Sequence, residues 1–403
     1  AIRGIYWVSL FFDFLIAIFL PLFYRMYFDP VPLLQAYITE HFHKIFTVFP
    51  FPVVVIWLFI PLLIILVFWI GVREIKKTKR IILYAIQVLL LFLVGYKGYT
   101  LFANPKAEYI KKFDYSVRHK NWLEVISLAE KQLPYNAFAV NYLNLALAKT
   151  NQLGDRLFHF EQMGTVGLFL PYEREMLSAM LGNETYYQIG LVNVSQQYIF
   201  EANEAMPDLR KSTRCLKRLT DVAIINGYYE LANKYIQLLK KTLFYKNWAK
   251  EAETYLYDED KINNHPDWGE KRRLRPFHDY FFSVENIDQI LLALLNDHPQ
   301  HRMAYEYLMS YYLLNKDIRS FMKYVSLGYN LHYEYLPLAF QEAVLYALSL
   351  DSREAIEKTT FPIEKTTKDR LYRYIAIYTQ YPNARELLKR DFSHTFWYYY
   401  HYK

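Results

Sequence analysis

Asp155, Arg156, His159 and Glu161 fall within seven residues of one another in QLGDRLFHFEQMG, residues 152–164. Asp155 and His159 are four apart, so a helix puts them on one face, where a carboxylate and an imidazole can pass a proton. Such chemistry needs a nucleophile or a metal set beside the pair. None stands at a recognisable spacing. The competing reading is architectural: Gly154 ends one helix, and Asp155 opens the next by accepting its free N–H groups and favouring its dipole. We take the architectural reading.

Two further acids invite chemistry. Asp13 sits inside the apolar run Ile5–Phe23, where a carboxylate marks either a functional position or a bond to a neighbouring helix. Asp29 is the only Asp in the segment Arg25–Pro52 and is the one catalytic candidate, in an alternative reading given below. His41 and His43 are two apart and diverge on a helix, a poor metal pair. The single cysteine, Cys215, excludes an internal disulfide and a cysteine-cluster metal site. No phosphate loop, dinucleotide fingerprint, HExxH, GxSxG or CxxC occurs, so no cofactor and no metal are expected.

Other residues suit binding. Lys271, Arg272, Arg273 and Arg275 crowd one insertion; they fit an anionic partner (lipid headgroup, acidic peptide or glycan phosphate) or else a solvated loop. In NYLNLALAK, Asn141, Asn144 and Lys149 lie on the first helix of a hairpin. Such helices line the concave groove of repeat folds, where Asn can grip an extended peptide; Asn is equally an ordinary surface residue. The sequons at Asn183 and Asn193 are near chance. The net charge of +7 includes five Lys/Arg packed into Arg73–Arg80, so it does not point to nucleic acid.

The elements that must position these residues are helices. Aromatics make up 19% of the chain and glycine only 12 residues. Residues 1–103 hold three apolar runs, Ile5–Phe23, Val53–Val72 and Ile81–Phe102, each near the ~20 residues that cross a bilayer. The short turn REIKKTKR (73–80) is the basic loop that stays cytoplasmic, so the third run leads residues 104–403 to the far side. Leu33–Phe49 reads as an amphipathic helix at the outer boundary. The chain opens at Ala1, and we expect further membrane sequence upstream.

Residues 104–403 repeat. Turns fall at Asn121, Gly154, Gly190 and Gly227, spaced by 33, 36 and 37 residues. Prolines follow each unit at Pro134, Pro171 and Pro207. A period near 34 with a mid-unit turn and a proline stop is the tetratricopeptide signature. Ala129, Ala146, Ala148, Ala223 and Ala232 would let paired helices approach closely. The period fails after Leu243: Tyr255–Phe282 reads as a long irregular insertion. A hairpin turning at Asn315–Asp317, a helix over Pro337–Leu350 and a final helical pair come after it. The aromatic tail FSHTFWYYYHYK is unsuited to solvent and must pack on the last repeat or on a partner. The fold class is therefore all-α: transmembrane helices followed by a tetratricopeptide-like α-solenoid.

The stretches HKNWLEVISLAEK, NLALAKTNQLGDRLFHFEQMGTVGLF, RCLKRLTDVAIINGYYELANKYIQLLKKTLFYKNWA, INNHPDWG and HRMAYEYLMSYYLLNKDI resemble an uncharacterised family of Bacteroidota membrane proteins. The resemblance covers roughly residues 108–350. It implies several N-terminal membrane helices and a C-terminal tetratricopeptide-like region. It also implies a bacterial inner membrane with the repeats in the periplasm. It brings no activity and no functional residues. The reading that follows is a membrane-anchored scaffold that holds a protein partner in the cell envelope. The alternative, by analogy of fold alone, is part of a membrane glycosyltransferase using lipid-linked sugars, with Asp29 as its outer-loop acid.

Overall fold

The computed structural model describes residues 11–12, 14–16, 18–23, 26, 59–60, 62, 77–103, 105–171, 176–206, 211–277, 283 and 286–403. The expected span Val53–Val72 and the helix over Leu33–Phe49 lie largely or wholly outside those residues, as do Asp13 and Asp29. Of the expected span Ile5–Phe23, the described residues 11–12, 14–16 and 18–23 are helical. The chain divides into two compact units, 1–109 with 207–210, and 110–206 with 211–403.

In chain order the helices are α1 (Lys77–Phe102), α2 (Pro105–Arg118), α3 (Trp122–Lys131), α4 (Ala137–Lys149), α5 (Leu153–Arg156), α6 (Met176–Ile189) and α7 (Val192–Glu204). Next come α8 (Thr213–Asn226), α9 (Tyr229–Leu239), α10 (Lys246–Glu253), α11 (Glu259–Asn264), α12 (Trp268–Leu274) and α13 (Ile287–Asp297). The last seven are α14 (Arg302–Leu314), α15 (Ile318–Tyr324), α16 (Leu338–Asp351), α17 (Arg353–Glu357), α18 (Lys365–Gln380), α19 (Ala384–Phe392) and α20 (Phe396–Tyr402). Among the described residues the one β feature is an isolated bridge between Met163 and Thr165.

The third expected span falls within α1. Its stretch Tyr84–Leu101 is 18 residues long with mean hydropathy 1.3, long and apolar enough to cross a membrane by length and composition.

The second unit is a set of helical hairpins closed by one recurring turn. Lys120, Asn151, Gly190, Gly227 and Lys316 all take the left-handed conformation, with φ of 57°, 57°, 99°, 79° and 59°. At Gly227 the N–H donates to the Ile224 carbonyl (3.1 Å), and the next N–H, of Tyr228, reaches back to Ala223 (2.8 Å). The same two bonds recur at the other four positions. This pairing satisfies the last carbonyls of the first helix and reverses the chain. It joins α2 to α3, α4 to α5, α6 to α7, α8 to α9 and α14 to α15. Ala129, Ala146, Ala148, Ala223 and Ala232 are buried, where a larger side chain would hold the helices apart.

The stretch around Gly154 departs from expectation. The turn sits three residues earlier, at Asn151, and Gly154 lies inside α5. Glycine is needed there for a different reason: a Cβ at Gly154 would stand 2.5 Å from the Pro337 side chain. Asp155 does not cap its own helix. It accepts the Leu338 N–H (2.9 Å) at the start of α16, 183 residues away. Arg302 of α14 donates to the Asn151 carbonyl (3.1 Å). Thus α5 packs on α14 and α16 as well as on α4. A simple solenoid has contacts only between successive repeats; this solenoid-like array also folds back on itself.

The tail packs internally. Thr395 caps α20 by accepting the Tyr398 N–H (3.2 Å). Glu342 of α16 accepts the Phe396 N–H (2.7 Å), and the Trp397 indole donates to the Glu342 carbonyl (2.7 Å). Tyr399 donates to Leu314 O (2.9 Å). Lys403 pairs with Glu161 (2.6 Å), and the His159 and His394 rings lie 5.1 Å apart. Arg156 bonds Glu130 (2.7 Å). Every member of the original acid–base cluster therefore holds a structural partner.

Two predictions follow from these contacts. Gly190→Ala and Gly227→Ala both force a Cβ into the left-handed region, at about 1–2 kcal/mol each. At Gly227 the space is open, whereas at Gly190 the new atom would meet Leu274 at 2.8 Å. Urea unfolding should therefore show Gly190→Ala as the clearly less stable of the two. Burial pushes the Glu342 carboxyl up to about 7, with Phe396 and Arg370 opposing. The folded chain then binds a proton that the unfolded chain releases from about pH 4.5 upward. Stability from this group is full below that pH and is lost as pH rises through about 7. Glu342→Gln should flatten this part of the pH–stability profile.

Candidate functional site

Helix α8 carries TRCLKRLTD at its start. Cys215, Leu216, Leu219 and Val222 are buried, which fixes how the helix sits. Arg214, Lys217, Arg218 and Asp221 then share the other face at helical spacing. Together with Arg118, His119, Asn183 and Glu184 from α2, its turn and α6, they line a cavity of about 200 Å³.

The charges in this cavity are tightly organised. Arg214 grips Asp114 of α2 with both terminal nitrogens (2.7 and 3.0 Å). Asp114 also accepts from Tyr142 of α4 (3.1 Å) and pairs with Arg118 (3.1 Å). Arg218 pairs with Glu184, which also accepts from Gln188 (2.9 Å). The Arg218 guanidinium lies 3.6 Å from the centre of the Tyr187 ring, close enough for cation–π attraction. Asp221 pairs with Lys217 (2.9 Å) and accepts the Trp268 indole N–H (3.0 Å). Burial opposes the charge on Arg214, but Asp114 outweighs it and raises its pKa. Burial likewise opposes ionisation of Glu184, and Arg218 and Gln188 outweigh it and lower its pKa. Arg214 and Glu184 therefore keep their charges at neutral pH.

Cys215 lies on the buried face of α8 and is not a lining residue. Burial pushes the Cys215 thiol up to about 11, far from a reactive thiolate. Among the described residues no group of three or more His, Cys, Asp or Glu could hold a metal. What the cavity can do is bind.

The binding residues expected from sequence lie elsewhere, and most are spoken for. Asn141 and Asn144 are buried and do not face an open groove. Asn141 donates to the Leu168 carbonyl (2.7 Å) and accepts from Thr185 (3.1 Å). Asn144 donates to Gly167 O and Gln162 Oε1, both at 3.0 Å. They pin the loop that leads to Pro171. Lys149 pairs with Glu270 (3.5 Å). Asn183, the first sequon, is also buried.

Two basic residues of the insertion, Lys271 and Arg272, turn inward. Arg272 donates to Ile224 O (2.9 Å), Ile225 O (3.1 Å) and the Tyr229 hydroxyl (2.8 Å). Arg275 also reaches Ile225 O (3.3 Å). Lys271, fully buried, donates to Gln188 O (3.3 Å) and Glu270 (2.9 Å). Burial, with Lys149 nearby, holds its pKa down at about 8. His301 gives its Nε2–H to Ile189 O (2.7 Å). Cations at helix C-termini satisfy orphan carbonyls and complement the dipole. Lys271 and Arg272 make the insertion a clamp on the ends of α6 and α8; Arg273 and Arg275 stay exposed, Arg273 bonded to Asn263 O (3.3 Å).

The cavity residues were missed because each reads alone as a solvated charge. The available signal was the i, i+3, i+4, i+7 spacing of Arg214, Lys217, Arg218 and Asp221. The clamp yields a test. Arg272→Ala should cost about 2 kcal/mol, since it strands buried carbonyls, whereas Arg273→Ala should stay within about 0.5 kcal/mol. Chemical denaturation of the two variants checks this, and equal stabilities would contradict the clamp.

No curated protein and no solved structure matches the chain. One family does, described as a Family of unknown function (DUF6057). The match runs over residues 2–403, well beyond the 108–350 on which the resemblance rested, and the chain belongs to that uncharacterised family.

Proposed function

We propose that the chain is a membrane-anchored helical-repeat scaffold whose array, of the tetratricopeptide kind, holds a protein partner beside the bilayer. The observation that carries this reading is α1. A surface helix in water hides an apolar stripe, yet none of the stretch Tyr84–Leu101 is buried, so its apolar surface suits lipid on all sides. The basic turn before it favours the cytoplasm. That sets the array on the opposite side, which in a two-membrane envelope is the periplasm.

A partner surface is suggested by Leu243 and Phe244. They follow one another in the connection from α9 to α10 and are 87% and 88% exposed, the highest among the described large apolar side chains. Adjacent apolar groups held in water are candidates for burial on association.

The chain should stay with the membrane pellet after alkaline carbonate washing, and release to the supernatant would contradict anchoring. Purified in mild detergent, it should bring down a stable partner. Leu243→Ser with Phe244→Ser should abolish that recovery without lowering the unfolding temperature. Recovery unchanged by the double substitution would move the partner surface elsewhere.

A further inference from the structure

We propose that the cavity between α2, α6 and α8 binds a phosphate group, carried by a lipid headgroup or by a soluble molecule. This site is separate from the scaffold reading and stands without it.

Three features carry the assignment. The first is depth. The cations lie outward: the side chains of Arg118 and Lys217 are 37% and 32% exposed, those of Arg214 and Arg218 14% and 15%. The carboxylates lie behind them, with Asp114, Glu184 and Asp221 at 9%, 5% and 2%. An entering ligand meets N–H groups before it meets oxygen. Four cations stand against three carboxylates, with Arg118 and Arg214 sharing Asp114, so these seven groups sum to one positive charge.

The second feature is spare donor capacity on fixed groups. A guanidinium has five N–H donors. Arg218 places one hydrogen bond, to Glu184, and lies beyond hydrogen-bond reach of Asp221 at 3.8 Å. Arg214 places two, both to Asp114. The Tyr187 ring and these carboxylates hold both guanidiniums still, so a ligand need not order them. The carboxylates already have donors of their own: Asp114 from Arg214, Arg118 and Tyr142, and Asp221 from Lys217 and Trp268.

The third feature is direction. A single guanidinium fork satisfies a planar carboxylate. Here the cations approach from two helices, and three of them stand at i, i+3 and i+4 on one face of α8. That arrangement suits a tetrahedral group with several oxygens. A cavity of about 200 Å³ holds one phosphate and its first substituent rather than an extended polymer. The assignment is phosphate binding.

The test is equilibrium dialysis of the full chain in a non-ionic detergent against radiolabelled inorganic phosphate. Dihexanoyl phosphatidic acid, kept below its micelle concentration, serves as competitor. Saturable binding of one phosphate per chain is expected. Arg118→Gln with Lys217→Gln should raise Kd at least roughly tenfold, the loss of charge-assisted bonds. These are the two most exposed cations, so the unfolding temperature without phosphate should hold. If it falls, Lys217→Arg, which keeps the charge, should still bind, and Lys217→Gln alone should weaken binding. Stronger competition by the short-chain lipid than by glycerol phosphate identifies a headgroup; equal competition identifies a soluble phosphate. Absence of saturable binding, an unchanged Kd in the double variant, or saturation by hexaglutamate but not by phosphate would each overturn the assignment. Membrane release or failure to recover a protein partner leaves this result untouched, so the two proposals fail separately.

Discussion

Each hairpin depends on one residue that leaves the right-handed conformation. The first helix of each pair must end within one turn, satisfy its last carbonyls and send the chain back at an angle that lets small side chains meet. A single left-handed residue with two backbone bonds does all three. Five such turns share this geometry. No hairpin can cover its own apolar surface. Stacking follows from that, and so does the polar rim where Arg118, Arg214, Lys217 and Arg218 gather.

Stacking alone leaves exposed ends, and the second unit covers them with later parts of the chain. The insertion carrying α11 and α12 caps α6 and α8 with Lys271, Arg272 and Arg275. Helix α16 abuts α5 at Gly154, and α20 seats its aromatic side chains beneath Glu342 and Leu314. Ordering long segments against distant ones costs entropy that nearest-neighbour repeats avoid. The return is a body in which cations and carboxylates from separate hairpins meet at fixed positions. This explains why sites that look like binding loops in sequence are internal ties, while the open cationic concavity arises where no single segment is conspicuous.

The sequence revealed the hairpins because their apolar spacing and turn glycines are local. Gly190 and Gly227 were found at their true places. Lys120 and Lys316 were not named as left-handed, because lysine there carries no composition signal; Asn151 tolerates that conformation, but Gly154 drew the turn three residues late. The helices over 338–351, 365–380 and 384–392 were legible from periodicity. What was hidden is long-range: nothing near Asp155 announces Leu338, and nothing near Arg272 announces Ile224. Asn141 and Asn144 show the same limit, since an amide that grips a partner's backbone and one that grips its own chain have identical sequence.

The central claim is that α1 lies in a membrane and delivers the hairpin array to the side opposite the basic turn. Fusing alkaline phosphatase after Phe102, with a fluorescent protein at the same point as the reciprocal reporter, measures this most directly. The account predicts an active phosphatase and a dark fluorescent fusion. A fluorescent fusion with inactive phosphatase would contradict it.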